Sequence, residues 1–220
     1  MIAGLGRFDL VLFDLDGTLT DSSRGIINGI QYVLSKFGMQ EQSRERLLEW
    51  IGPPLADSFR TYCSLDEHEA RQAETVFREY YIRQGMYENA VFPGIPQLLD
   101  KLWQRGTPML VATSKYTPIA ESILEHFGLR PYFIGVVGNN EAAPAGKVEV
   151  VETALSKWKS AVDRNVVMVG DRKHDIAAAH ANGIASAAVA YGFGSAEELH
   201  NAQPTYMVDS VDELGKLLLV

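Results

Sequence analysis

Short apolar runs and amphipathic helical patterns take turns along most of this chain, and that alternation restricts the fold more than any other feature. Leu10 to Phe13, Met109 to Ala112, Gly135 to Val137, Val166 to Val169 and Ala185 to Val189 each read as a strand. Helical patterns around Ile95 to Gln104, Pro118 to Phe127, Val148 to Trp158 and Ile176 to Asn182 fall between them. Several helix ends carry local signals. Thr117 reads as an N-cap before Pro118, Gly106 and Gly128 as glycines past a C-terminus, and Ser195 with Glu198 and Ser210 with Glu213 as capping boxes. Helices between successive strands imply βαβ crossovers, hence an α/β fold with a parallel sheet covered by helices on both faces. Ligands in such sheets bind at the carboxyl ends of the strands.

One interruption breaks the pattern. From about Leu19 to Ala90 there is no convincing strand; three helical stripes take its place. They are Ile26, Ile27, Ile30, Val33, Leu34 and Phe37; then Leu47, Leu48 and Ile51; then Ala70, Ala73, Val76, Phe77 and Tyr81, ending near Gly85. Residues 19–90 are therefore expected to form an inserted all-helical domain, with 1–18 and 91–220 as the sheet-bearing core. Leaving the sheet after Thr18 and returning before Phe92, the insert should sit over the strand ends as a lid.

Composition removes several classes of function. The net charge of −8, from 20 Lys and Arg against 28 Asp and Glu, argues against a nucleic-acid polymer or an anionic membrane as partner. No stretch approaches the roughly 18 apolar residues of a membrane span, and the N-terminus lacks the pattern of a signal peptide. The lone Cys63, expected as a small buried hydrophobe in a helix, has no cysteine to pair with, which fits a reducing cytoplasm. A monomer or weak homodimer acting on a small molecule is expected.

Functional signals gather at the ends of the predicted strands. In Leu10-Val11-Leu12-Phe13-Asp14-Leu15-Asp16-Gly17-Thr18, two carboxylates follow a doubly buried strand, and period-two geometry points both the same way. Like charges so placed call for a cation between them, or a proton on one. An Asx turn closing the strand is the plainer alternative. Thr113 and Ser114, followed by Lys115, offer hydroxyls and amides suited to phosphate oxygens, or to capping a turn. Gly170-Asp171-Arg172-Lys173-His174-Asp175 places a second acidic pair beyond a strand, where Asp171 can reach a metal, or cap a helix with an acid in its first turn. Lys147, between Gly146 and Val148, says little alone.

Together Asp14, Asp16, Thr113, Ser114, Lys147, Asp171 and Asp175 resemble the four ordered motifs of the haloacid dehalogenase superfamily, over essentially the whole chain. The resemblance implies a Rossmann-like core and a helical cap of the kind shared by phosphoglycolate phosphatases, β-phosphoglucomutases and haloacid dehalogenases. Val148 follows Lys147 where many relatives have proline. Asp14 is implied as nucleophile and Asp16 as general acid and base. Mg2+ is implied on the Asp14 carboxylate, the Asp16 carbonyl and Asp171, with Asp175 behind them holding a metal-bound water or Lys147. Gly17, Thr18, Thr113, Ser114 and Lys147 are implied on the phosphate. Dehalogenases lack an acid at the position of Asp16, so phosphoryl transfer is expected.

Substrate choice is expected to lie in the insert. Ile51-Gly52-Pro53-Pro54-Leu55 resembles a loop that relatives point into the active site, and Arg60 could meet a second anionic group, or simply be a solvated helix arginine. The pattern, with Tyr191-Gly192-Phe193-Gly194-Ser195, is most similar to the branch of 5'-nucleotidases and phosphoglycolate phosphatases. Nucleoside 5'-monophosphates come first among expected substrates. A phosphoglycolate or broad small-phosphate phosphatase is the alternative, ahead of a phosphosugar mutase or a catalytically silent binding protein.

Overall fold

A computed structural model describes residues 8–48, 50–51, 55–140, 145–158 and 165–219. In chain order these form β1 (Leu10–Phe13), β2 (Thr20–Asp21), α1 (Ser23–Lys36), α2 (Arg44–Leu48), α3 (Leu55–Cys63), α4 (Glu67–Arg83), β3 (Ala90–Val91), α5 (Ile95–Gln104), β4 (Met109–Tyr116) and α6 (Thr117–His126). Then follow β5 (Gly135–Asn139), α7 (Lys147–Lys157), β6 (Val166–Gly170), α8 (Lys173–Ala181), β7 (Ala185–Val189), α9 (Ala196–Asn201), β8 (Tyr206–Val208) and α10 (Val211–Leu218). The chain divides into two compact units, one of residues 1–21 and 91–220 and one of Ser22–Ala90. Among the described residues no helix is long and apolar enough to cross a membrane.

In the first unit six parallel strands lie in the order β5-β4-β1-β6-β7-β8. All four residues of β1 are buried, as a central strand covered on both faces requires. Leu10 and Leu12 meet Val150, Val151 and Ala154 of α7 and Ala178 and Ala179 of α8 in one apolar layer. Sequence order runs outward from β1 through β4 to β5, then jumps back across β1 to β6. That reversal is a topological switch point, and crevices for ligands open there. Of the three strands around it, β1 and β6 are followed directly by Asp14 and Asp171, and β4 carries Thr113 in its C-terminal half.

Helix ends refine the sequence reading. Gly106 and Gly128 take φ of 72° and 66°, the left-handed geometry of a glycine past a C-terminus. Thr117, however, is the first residue of α6 and Tyr116 its N-cap; the Thr117 hydroxyl instead accepts from Gly138 N–H (3.1 Å) and donates to the Asn139 carbonyl (3.2 Å), tying β5 to α6. Ser195 and Ser210 cap Glu198 and Glu213 as expected. The return halves of both boxes go elsewhere: Glu198 accepts from Arg172 and Lys173, and Glu213 from the N–H of Asp209.

The second unit is helical. Ile26, Ile27, Ile30, Val33 and Leu34 of α1 are buried, with Leu47 of α2 and Ala70, Ala73 and Tyr81 of α4. Trp50 stacks on Tyr62 at 4.9 Å. Leu48, expected in the core, is exposed, and Cys63 is only half-buried, because helices this short present narrower buried stripes than their apolar residues suggest. Asp66 and Glu69 form a full capping box at the start of α4 that the sequence reading missed.

Candidate active site

The end of β1 turns sharply. The Leu15 carbonyl accepts from the N–H groups of Thr18, Leu19 and Thr20, and Gly17 N–H donates to the Thr20 carbonyl. Gly17 sits at φ +80°, and a Cβ there would lie 2.1 Å from Asp171 Oδ2. Glycine is required twice over, by backbone conformation and by close approach. The turn keeps Asp14 and Asp16 at the carboxyl end of β1, with side chains 14% and 21% exposed, and Leu15 N–H orients Asp14 by donating to Oδ1 at 2.8 Å.

Lys147 opens α7, where a cation opposes the helix dipole. Two carboxylates compensate: Nζ lies 2.9 Å from Asp14 Oδ1 and 2.8 Å from Asp175 Oδ1, with the lysine side chain 6% exposed. Burial would pull the ammonium down, but the facing Asp14 and Asp175 charges outweigh it and hold Lys147 above its ordinary range. Asn139 sets the entry to this helix, accepting from Ala145 N–H at 2.7 Å and donating to the Ala145 and Ser114 carbonyls.

Asp171 follows β6 and is fully buried. Thr18 Oγ1 donates to its Oδ1 (3.2 Å) and Phe193 N–H to its Oδ2 (2.8 Å), while Tyr191 OH donates to the Thr18 carbonyl (3.0 Å). These contacts close a loop around the carboxylate. The N-cap of α8 is Arg172, and its N–H donates to Asp175 Oδ2 at 3.0 Å, so Asp175 serves the helix with one oxygen and Lys147 with the other. Gly170 makes room for it, since a Cβ there would meet Asp175 Cγ at 2.1 Å.

Asp14, Asp171 and Asp175 thus bring one carboxylate oxygen each within 4.8 Å of one another. Burial first, then the Asp175 charge, pushes Asp14 up to about 6 against the pull of Lys147. Burial, then Asp175 and Asp14, pushes Asp171 up to about 8 although two donors resist. A buried acidic cluster under this strain fits a hard divalent cation on oxygen donors, which would relieve the repulsion. Asp16 contributes a different signal: its Oδ1 is buried with no hydrogen-bond partner among the described residues.

Thr113 is buried and its Oγ1 accepts from Lys115 N–H at 3.3 Å; Ser114 is exposed. The Thr18 hydroxyl, expected on phosphate, is buried against Asp171. Asp14, Asp16, Gly17, Thr18, Thr113, Lys147, Asp171 and Asp175 are therefore linked into one site by direct or shared contacts. Arg60, on α3 of the helical unit, is exposed and lies 3.8 Å from Asp57. Pro53 and Pro54 lie outside the described residues. Lys115, Asn139 and Tyr191 went unassigned in the sequence reading; an ionisable or amide group just past an apolar strand was the available signal for each.

Comparison with known proteins agrees with this geometry. A family profile described as haloacid dehalogenase-like hydrolase matches residues 11–189. A 5'-nucleotidase of Pseudomonas aeruginosa is 39% identical over 213 residues, 96% of each chain. A tyrosine-protein kinase, PtkA, of Mycobacterium tuberculosis is 36% identical over 95% of this chain and 72% of its own length. Among solved structures, a predicted phosphatase from Clostridium acetobutylicum superposes with a TM-score of 0.89 at 43% identity, covering 95% of this chain and 97% of its own.

Proposed function

The chain belongs to the haloacid dehalogenase-like hydrolase family and is a phosphomonoester hydrolase; we propose that it works with magnesium through an aspartyl-phosphate on Asp14, acting on nucleoside 5'-monophosphates in the cytoplasm. The observation that carries this is the arrangement around Asp14. A partly exposed carboxylate at the switch point of a parallel sheet lies beside a lysine and two further buried acids. The nucleotide preference is supported by the 39% identity to a 5'-nucleotidase, with 2-phosphoglycolate second.

Asp14 attacks phosphorus without an activating base, because a carboxylate is already a nucleophile once ionised. Lys147 faces Asp14 Oδ1 and, with Thr113 and main-chain amides near it, supplies positive potential where charge spreads over the transferring group. Asp16 gives a proton to the leaving alkoxide, then takes one from the water that hydrolyses the intermediate. Asp14 and Asp171 would hold magnesium through carboxylates and Asp16 through its carbonyl. When bound, magnesium supplies charge cancellation for the meeting of two anions. The helical unit is the segment to which we assign leaving-group selection.

The test is a phosphate-release panel of nucleoside 5'-monophosphates, 2-phosphoglycolate and sugar phosphates, with magnesium or EDTA, alongside Asp14→Asn. Wild-type protein should release phosphate only with magnesium, and fastest from the nucleotides. The Asn variant should lose at least about 10³-fold. Unchanged turnover in that variant rules out Asp14 as nucleophile. Conversion of β-glucose 1-phosphate to glucose 6-phosphate without phosphate release moves the protein to the mutases.

A further inference from the structure

The two oxygens of the Asp16 carboxyl have opposite surroundings. Oδ2 is gripped by Lys115, whose Nζ lies 2.8 Å away on a side chain only 11% exposed. Oδ1 is buried and has no hydrogen-bond partner among the described residues. A buried acceptor left unmet is costly, so this oxygen is poised for a group that arrives from outside the protein.

The backbone explains how Lys115 gets there. β4 and β5 pair in register at Ala112 with Val137 and resume at Tyr116 with Asn139, so β4 spends four steps where β5 spends two. The extra residues form a bulge, which breaks the alternation of side chains and re-aims them. Within it Thr113 is buried, Ser114 is exposed, and Lys115 N–H donates back to Thr113 Oγ1 at 3.3 Å. Lys115 is thus held by its main chain at the residue next to Asp16 in space.

We propose that Lys115 is a positioning residue for the leaving-group acid, pinning Oδ2 of Asp16 so that Oδ1 is the oxygen presented to the scissile ester. The proposal rests on the phosphatase reading above. In the first half-reaction the Asp14 oxygen–phosphorus bond forms as the ester phosphorus–oxygen bond breaks, and the Oδ1 proton passes to the departing alkoxide. In the second, water attacks phosphorus and gives its proton to Oδ1, and the Asp14–phosphorus bond breaks to release phosphate. Lys115 makes and breaks no bond; it fixes the direction from which the proton travels. A lysine that merely attracted the phosphate dianion would aid every ester alike.

Leaving-group dependence separates the two roles. Single-turnover release of alcohol is measured for wild type, Lys115→Met and Lys115→Arg on the best alkyl phosphate of the panel and on p-nitrophenyl phosphate, whose phenolate departs without a proton. Lys115→Met should slow the alkyl ester on the order of 10- to 100-fold, part of the contribution of a positioned acid, and the aryl ester less than about 3-fold. Lys115→Arg should restore much of the alkyl rate, with KM and melting temperature little changed in either variant. Equal losses on the two esters, or no loss on either, overturn the positioning role. Wild-type protein that turns over neither ester sinks the phosphatase reading instead, and the proposal with it.

Discussion

Replacing Asp171 with asparagine should stabilise the metal-free protein while abolishing its response to magnesium. Asparagine keeps an acceptor for Phe193 N–H and a polar group for Thr18, but removes a charge that burial and the Asp175 and Asp14 carboxylates oppose. A carboxyl held at about 8 in the folded protein, against an ordinary 3.8, binds its proton more tightly when folded. Its contribution is complete below about pH 4 and is lost as pH rises toward 8. About four pKa units at roughly 1.4 kcal/mol each set a ceiling on the order of 5 kcal/mol at pH 8. If half survives relaxation of the cluster, the variant melts about 5–10 °C higher in EDTA. At pH 5 the advantage should shrink to about a third. Calorimetric melting at the two pH values, with EDTA and with magnesium, checks this. An advantage absent at pH 8, or equal at both pH values, refutes the reasoning that Asp171 is buried at a cost which metal repays.

Two further outcomes follow from neighbouring contacts. In Gly192→Ala the new Cβ would lie 2.3 Å from Asp171 Cβ and 2.4 Å from the Gly17 carbonyl oxygen. The loop must retreat, so magnesium affinity by titration calorimetry should fall about 10-fold or more, in the range seen when groups behind metal ligands are disturbed; unchanged affinity argues against this loop aiming Asp171. Lys147→Met leaves Asp14 and Asp175 facing each other without their shared cation. Denaturant melts at pH 8 in EDTA should show a loss of about 3–5 kcal/mol, and turnover should vanish.

The sheet was legible because its central strands are short, apolar and covered on both faces, so Leu10–Phe13 and Val166–Val169 could be read as strands directly. β8 was not, since Tyr206 and Met207 on the sheet's edge are only half-buried and lack that uniform apolar character. The acids were legible for the same reason as the strands: charge directly behind a buried run needs an explanation. Lys115 escaped because period-two reasoning does not anticipate two extra residues in β4. Tyr191 and Phe193 escaped because one acts through a hydroxyl on a main-chain carbonyl and the other through its own N–H. Contacts made by the backbone leave little trace in side-chain chemistry.

The place of β1 in the sheet has a consequence for synthesis. β1 leaves the ribosome well before its neighbours: Met109, paired with Val11, comes about a hundred residues later, and Val166, paired with Leu10, more than a hundred and fifty residues later. At roughly 5–20 residues per second, β1 waits on the order of 10–30 s for its second neighbour. The helices of Ser22–Ala90, whose contacts are local, can form in that interval. An apolar strand leading directly into Asp14 is therefore made long before both of its neighbours can shelter it, which makes Leu10–Phe13 the natural target for a chaperone during translation and for aggregation without one.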